Sequence, residues 1–519
     1  MKKTIVVGLD GACWELIDPW LKQGVLPNMQ KLLAGGAYSD SYSQLPPVTC
    51  PNWKCFSTGK NPAKFGVFWW KRPDREHRKM VSFDARTFQS YEYFDYLNSA
   101  GLKVGIINMP LTFPPKAVDG FIITGGPDSG DKGFTYPEDL EAELIKKYNY
   151  RVHPPRSVGS KEDVESEVDE ILRLIDLRFR VGLDYLDQVD LLQITTFYLN
   201  VFQHFFYRGE ASKKAWQIVD RYLGQLMQMD VNLLLISDHG IHPINTVFYI
   251  NSWLHQQGYL TLAGGKVRGL RKLGITKERA IRYAETLKIK KLLETVIPRK
   301  IRGAVPYSDG TIAVHATADQ INWDRSSVLG SGQGTIYMLL DPDDPNYEKI
   351  RTEIIEKIKT LKDPRTGQNI ASAVYKKEDY YHGEFLHLAP DIIFEQAHGV
   401  YTLAVLGKDE VFTPPQKWEA ENLRYGLFLA YGKDIKPGFK LGRNEIVDVA
   451  PTILHWLGYQ VPDDMDGRVL TEIFAPDSEP ARRPVQKFAA PPYTTTETGE
   501  VEEDAEIIER LRDLGYMEQ

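Results

Sequence analysis

NLLLISDHG, residues 232–240, decides how the rest of the chain is read. An apolar run of strand length ends on two adjacent ionisable residues, Asp238 and His239, followed by Gly240. Four further runs have the same form: TIVVGL at 4–9, KVGIINM at 103–109, GFIITG at 120–125 and DLLQIT at 190–195. Continuous apolar strands of this kind are buried on both faces, as in a parallel sheet covered by helices. Longer amphipathic stretches near 86–99, 137–149, 161–188 and 211–228 supply the helices, so the fold class is α/β with a central, mostly parallel sheet. Later runs at 334–340, 391–395 and 426–431 are expected to extend the same sheet. No repeat with a period of 20–50 residues is visible.

Working outward, the chain has 519 residues, 42% hydrophobic and 26% charged, enough for one large core. A net charge of −7 offers no general attraction for nucleic acid or an anionic membrane. The charge is unevenly placed. Lys266 to Arg302 carries thirteen Lys or Arg against three Glu, so that segment is strongly basic and the remainder more acidic than the total suggests. It falls within residues 260–330, which break the strand–helix alternation and read as an inserted cap between core segments 1–259 and 331–475. Its basic face is either a solvated helix pair or a lid for an anionic substrate or a peripheral membrane contact through 266–302. Residues 476–519 are a Pro- and Glu-rich tail, with EIIERLRDLGY at its end helical again.

The N-terminal apolar run meets Asp10 too soon for a signal peptide, and no segment approaches the ~20 apolar residues of a membrane span. Cys13, Cys50 and Cys55 cannot all pair within the chain and match no zinc spacing. They read as small buried hydrophobes in a reducing, cytoplasmic protein.

Ligands of open α/β sheets bind beyond the carboxyl ends of the strands, which singles out Asp10, the Asp238–His239 pair, and His204 after DLLQIT. Asp and His suit zinc or manganese. Asp10 could instead cap a helix near Cys13, and His204, among Phe202, Phe205 and Phe206, could be a satisfied core histidine. Thr49 lies in QLPPVTCPNWKCFSTG, where Pro51 suits the first turn of a helix running to about Thr58. A helix N-terminus favours phosphate and an alkoxide there, although Thr49 could be a plain N-cap. Trp69, Trp70 and Lys71 are either core or the lining of a base or sugar pocket.

Taken together, VVGLDGACWELIDPWL, GVLPNMQKLLAGGAYS, PPVTCPNWKCFSTGKNPAKFGVF, NMPLTFPP, GFIITGGPD, LLLISDHG, LAPDIIFE and EIVDVAPTILHWLGYQVPDDMDGRVL resemble the alkaline phosphatase superfamily, in its type I phosphodiesterase and nucleotide pyrophosphatase branch. The resemblance covers most of 4–475 apart from the basic insert. It implies an alkaline phosphatase-like core, two divalent metal ions and Thr49 as nucleophile, with Asp10, Thr49, Asp238 and His239 around one ion and Asn52 and Lys54 near the substrate. The second ion of the family normally takes an Asp and two His. These fall on Asn200, His204 and Asn422, so both departures strike one metal, and one or two ions (Zn or Mn) remain open. Phe65 likewise stands where relatives often have His. The implied activity is hydrolysis of phosphodiester or pyrophosphate bonds through a phosphothreonine, on a phosphorylated small molecule, nucleotide or lipid-linked phosphate. A catalytically silent metal- and phosphate-binding relative and a phosphotransferase are the alternatives.

Overall fold

The structure is a computed structural model that describes residues 2–263, 276–286, 308, 317–493 and 505–514, save 89 and 157. Strand Thr4–Leu9 is buried at every residue and lies at the centre. It pairs in parallel with Leu191–Thr196 on one side and Asn232–Ile236 on the other, placing Leu9 opposite Thr196 and Gly8 opposite Ile236. Val104–Ile107 and Gly120–Ile123 continue the parallel set, and Thr135–Tyr136 closes that edge antiparallel. Beyond Asn232–Ile236, Tyr425–Tyr431 enters antiparallel, followed by Ala37–Tyr42 and Phe439–Glu445, making nine strands among the described residues.

Both faces are covered, which is why the strands are apolar throughout rather than alternating. On one face Trp53 of helix Thr49–Thr58 lies against Gly8, where a Cβ would stand 2.7 Å from the indole, and Tyr93 of helix Tyr93–Ser99 donates to Gln193 at 2.7 Å. On the other, helix Val168–Tyr185 reaches Ile194 through Gly182 and stacks Phe179 on Tyr222 of helix Glu210–Leu226 at 4.7 Å.

The later runs divide. Tyr425–Tyr431 joins the main sheet as expected. Thr335–Met338 and Ile392–Gln396 do not, a correction to the single extended sheet. They pair antiparallel with each other, with Val328–Ser331 and with Ala371–Lys376, in a separate four-stranded sheet. This sheet has its own core, including Phe248, Ile250, Trp253, Ile336, Ile354, Ile358, Ile392 and Phe394. An apolar run specifies burial but not which sheet does the burying.

Among the expected helices, the first begins only at Tyr93, where Glu92 and Asp95 form a capping box, and 161–188 is broken at Glu167. Of the basic segment 266–302, only Thr276 and helix Lys277–Thr286 are described, so the cap and its membrane contact fall largely outside the described residues. The tail packs through Lys487–Phe488 on Val461–Pro462 and ends in helix Ala505–Asp513, whose Leu511 is buried. Among the described residues no helix is long and apolar enough to cross a membrane.

Candidate metal centre and nucleophile

Asp10 leaves the central strand and Asp238 leaves its neighbour at the same carboxyl edge, so the sheet register brings together residues more than 200 positions apart. Gly11 then turns with φ +67, and any Cβ there would lie 2.2 Å from Asn200 Oδ1, so only glycine lets helix Phe197–Phe205 approach. Gly11 N–H donates to Asp238 Oδ1 at 3.2 Å and locks the two strand ends together.

Helix Thr49–Thr58 points its N-terminus into this corner. The conformation of the preceding loop is held by Asn52, whose amide donates to the carbonyls of Pro46 and Val48 and whose oxygen accepts from Gln44 N–H. Thr49 Oγ1 stands 3.3 Å from His239 Nε2. Thr49, Asp10, Asp238 and His239 are all 0% exposed. His239 Nδ1 faces the Gly240 carbonyl at 2.9 Å and therefore carries the proton, which leaves a lone pair on Nε2. That lone pair looks at Asp238 Oδ2 at 3.3 Å and Asp10 Oδ1 at 3.8 Å.

Three acceptors thus converge on one point. Asp10 Oδ1 and Asp238 Oδ2 have no hydrogen-bond partner, although they are fully buried. Burial and the charge of Asp238 raise the Asp10 carboxyl well above its usual range; burial likewise pushes Asp238 up to about 7 and His239 down to about 4. Two buried carboxylates cannot both stay ionised this close unless a positive charge joins them. These residues are the one group of three His, Cys, Asp or Glu among the described residues whose ligand atoms lie within 4.8 Å of one another, and their donor set fits a divalent cation.

The second expected half-site is neutral. Asn200 and Asn422 are buried with unpartnered side-chain atoms. His204 donates from Nδ1 to the Ala420 carbonyl at 2.8 Å, stacks on Trp418 at 4.1 Å and leaves its buried Nε2 without a partner. Burial lowers its pKa to about 3. The fold brings these residues near the centre, since Asn200 abuts Gly11 and Asn422 lies opposite Ile241. They offer no carboxylate, so the set matches a second divalent ion poorly.

Two expected substrate contacts are placed differently. Lys54 Nζ is bonded to Glu92 at 2.8 Å and lies 4.4 Å from the Phe88 ring, so it anchors helix Thr49–Thr58 from behind. Asn52 spends its amide on the loop just described. Trp70 is core and Trp69 packs on Gly332, in the turn between two strands of the second sheet; Phe65 lies 5.3 Å from Phe88. The three cysteines are buried and free.

Sequence reasoning missed Trp53, whose indole N–H donates to Asp10 Oδ2 at 3.0 Å. Its one signal was its place four residues after Thr49, on the same helix face. Gln203 was missed too; it donates to the Asp10 carbonyl at 3.1 Å and is itself held by Trp216.

The sequence profile of the type I phosphodiesterase/nucleotide pyrophosphatase family matches residues 4–419. No curated protein matches the chain. Among solved structures, phosphonoacetate hydrolase from Sinorhizobium meliloti 1021, in complex with phosphonoformate, is 15% identical with a TM-score of 0.52, covering 86% of this chain and 94% of its own. An inactive variant of murine ectonucleotide pyrophosphatase/phosphodiesterase 5 in complex with AMP is 15% identical with a TM-score of 0.50, covering 92% of this chain and 100% of its own. At such identities the likeness is one of fold, which agrees with the sheet described above. With the profile spanning most of its length, the chain belongs to the type I phosphodiesterase/nucleotide pyrophosphatase family and is a hydrolase of that kind.

Proposed function

We propose that this hydrolase attacks a phosphodiester or pyrophosphate bond with Thr49 Oγ1, beside one divalent cation held by Asp10, Asp238 and His239. The observation that carries the reading is the convergence of three buried acceptors next to the Thr49 hydroxyl. When bound, a zinc or manganese ion would lower the pKa of the hydroxyl and offset charge on a phosphoryl oxygen. The chain's own residues do the rest. Thr49 Oγ1 forms the new P–O bond as the ester oxygen leaves, giving a phosphothreonine that water then hydrolyses. The N-terminal turn of its helix turns N–H groups and a positive dipole end toward the phosphoryl oxygens. Trp53 and Gly11 orient the carboxylates.

A phosphorylated small molecule is the substrate class this reading favours, in line with the AMP and the phosphonate bound by the two structural relatives. The buried free cysteines suit a reducing compartment such as the cytoplasm. Hydrolysis of bis-p-nitrophenyl phosphate with added Mn²⁺ or Zn²⁺ tests the proposal. Thr49→Ala should abolish turnover while leaving metal binding in place, and trapping with denaturant should find phosphate on Thr49 of the wild type. Full activity in Thr49→Ala would overturn it.

A further inference from the structure

Among the described residues, one buried cation has no counter-ion. Arg178, on helix Val168–Tyr185, is 4% exposed. Two of its N–H groups donate to the carbonyls of Arg151 and Val152, at 2.8 and 2.7 Å, and its guanidinium lies 4.6 Å from the Tyr150 ring. These partners are neutral. Glu170, the acid whose field reaches it, is paired with Arg173 at 2.7 Å. The contrast with Arg351, which is 2% exposed and paired with both Glu378 and Glu348, shows how a buried guanidinium is otherwise satisfied in this chain. Leaving such a charge in a low-dielectric interior is costly, and burial presses its pKa down.

Arg178 lines a small cavity with Asn108, Gly126, Thr195, Thr196 and Tyr198, at the carboxyl ends of the strands beside the metal centre. Its polar lining is largely committed. Asn108 donates to the Thr124 carbonyl and accepts from Tyr150, and Thr196 donates to the Gly8 carbonyl. His153 Nε2 donates to the Ser129 carbonyl at 2.8 Å, so its Nδ1 accepts from the Tyr198 hydroxyl, also at 2.8 Å. Thr195 Oγ1 accepts from Gln193 Nε2 at 3.1 Å on the Trp53 face of the sheet, away from helix Val168–Tyr185. The remaining capacity is therefore that of the guanidinium itself. A second guanidinium, Arg510 of the C-terminal helix, adds to the field beyond the His153–Tyr198 pair, where it donates to the Ser129 carbonyl at 2.7 Å. The space takes about one water-sized body, too little for a tetrahedral oxyanion.

We propose that this cavity binds a single monovalent halide ion, with Arg178 as its cationic partner. Chloride would neutralise the guanidinium and hold the Thr195–Thr196 strand end from which the helix bearing Asn200 and His204 springs. The site owes nothing to the Thr49 reading and stands or falls separately.

Thermal unfolding of the full chain at constant ionic strength tests it, with sodium chloride exchanged for sodium gluconate, whose anion cannot enter. Chloride should raise the Tm saturably, by about 1–2 °C or more, bromide should do the same, and Arg178→Met should lose the response. Equal Tm in chloride and gluconate, a rise given by inorganic phosphate alone, or a chloride response intact in Arg178→Met would overturn the site. Should Arg178→Met fail to fold, crystals of the wild type grown in sodium bromide decide the matter. An anomalous bromine peak within hydrogen-bond reach of Arg178 supports the proposal, and a clear map without one ends it.

Discussion

At the residue scale, the chemistry depends on which proton sits where. Because burial raises Asp238 to about 7, a cation must displace a proton to bind below that pH. Mn²⁺ affinity should therefore climb as pH rises toward about 7 and flatten above it. Isothermal titration in two buffers of different ionisation enthalpy would count the released protons, and Asp238→Asn should flatten the profile and weaken binding. The sign for metal-free stability is opposite. A folded pKa above the unfolded value contributes stability at low pH that is lost as pH rises through about 7, so apo protein should lose stability over the interval in which the metal gains affinity. The histidines act in the other direction on the acid side. His239 and His204 titrate near 4 and 3 in the fold, below the unfolded histidine, so acid unfolds the protein as those rings are forced to charge.

At the element scale, helix Thr49–Thr58 carries Thr49, the proposed nucleophile, at its tip and is fixed at two further points along its length. Trp53 ties it to Asp10, and Lys54 ties it to Glu92, a carboxylate that burial disfavours but that Lys54 and Lys116 together hold down to about 2. Trp53→Phe keeps the ring and removes only the N–H, leaving Asp10 Oδ2 unpaired. Metal affinity should fall by about tenfold and stability by about 1–3 kcal/mol, read by metal titration and urea unfolding. Lys54→Met should cost about 3 kcal/mol or more in unfolding free energy with KM for bis-p-nitrophenyl phosphate unchanged. A raised KM at unchanged stability would return Lys54 to the substrate. The helix was legible from its prolines and its Thr-Gly end, and Thr49 from its place at the tip. The anchoring was not, because Glu92 is 38 residues away and a lysine near a nucleophile reads equally as a phosphate ligand.

At the scale of the whole molecule, the question is how many ions the chain holds. With one half-site bearing two carboxylates and the other none, metal analysis of the purified protein should find about one divalent ion per chain. The double variant Asn200→Asp, Asn422→His should move that value toward two. Chelation should lower the Tm of the wild type, since a ligand bound only by the folded state stabilises it by mass action, and this loss should be absent in Asp238→Asn.

The sequence by itself determined the fold class and the burial of the strands, and it named Asp10, Thr49, Asp238 and His239 as candidates, because apolar periodicity and strand-end polarity are local properties of the chain. Only the tertiary structure decided that Thr335–Met338 and Ile392–Gln396 build a second sheet, that Lys54 faces Glu92, and that Arg178 lies buried with no acid paired to it among the described residues. Each of these depends on which distant residue arrives as a neighbour. Desolvation and pairing, which set the charge and use of a side chain, are fixed by neighbours and not by its place in the chain.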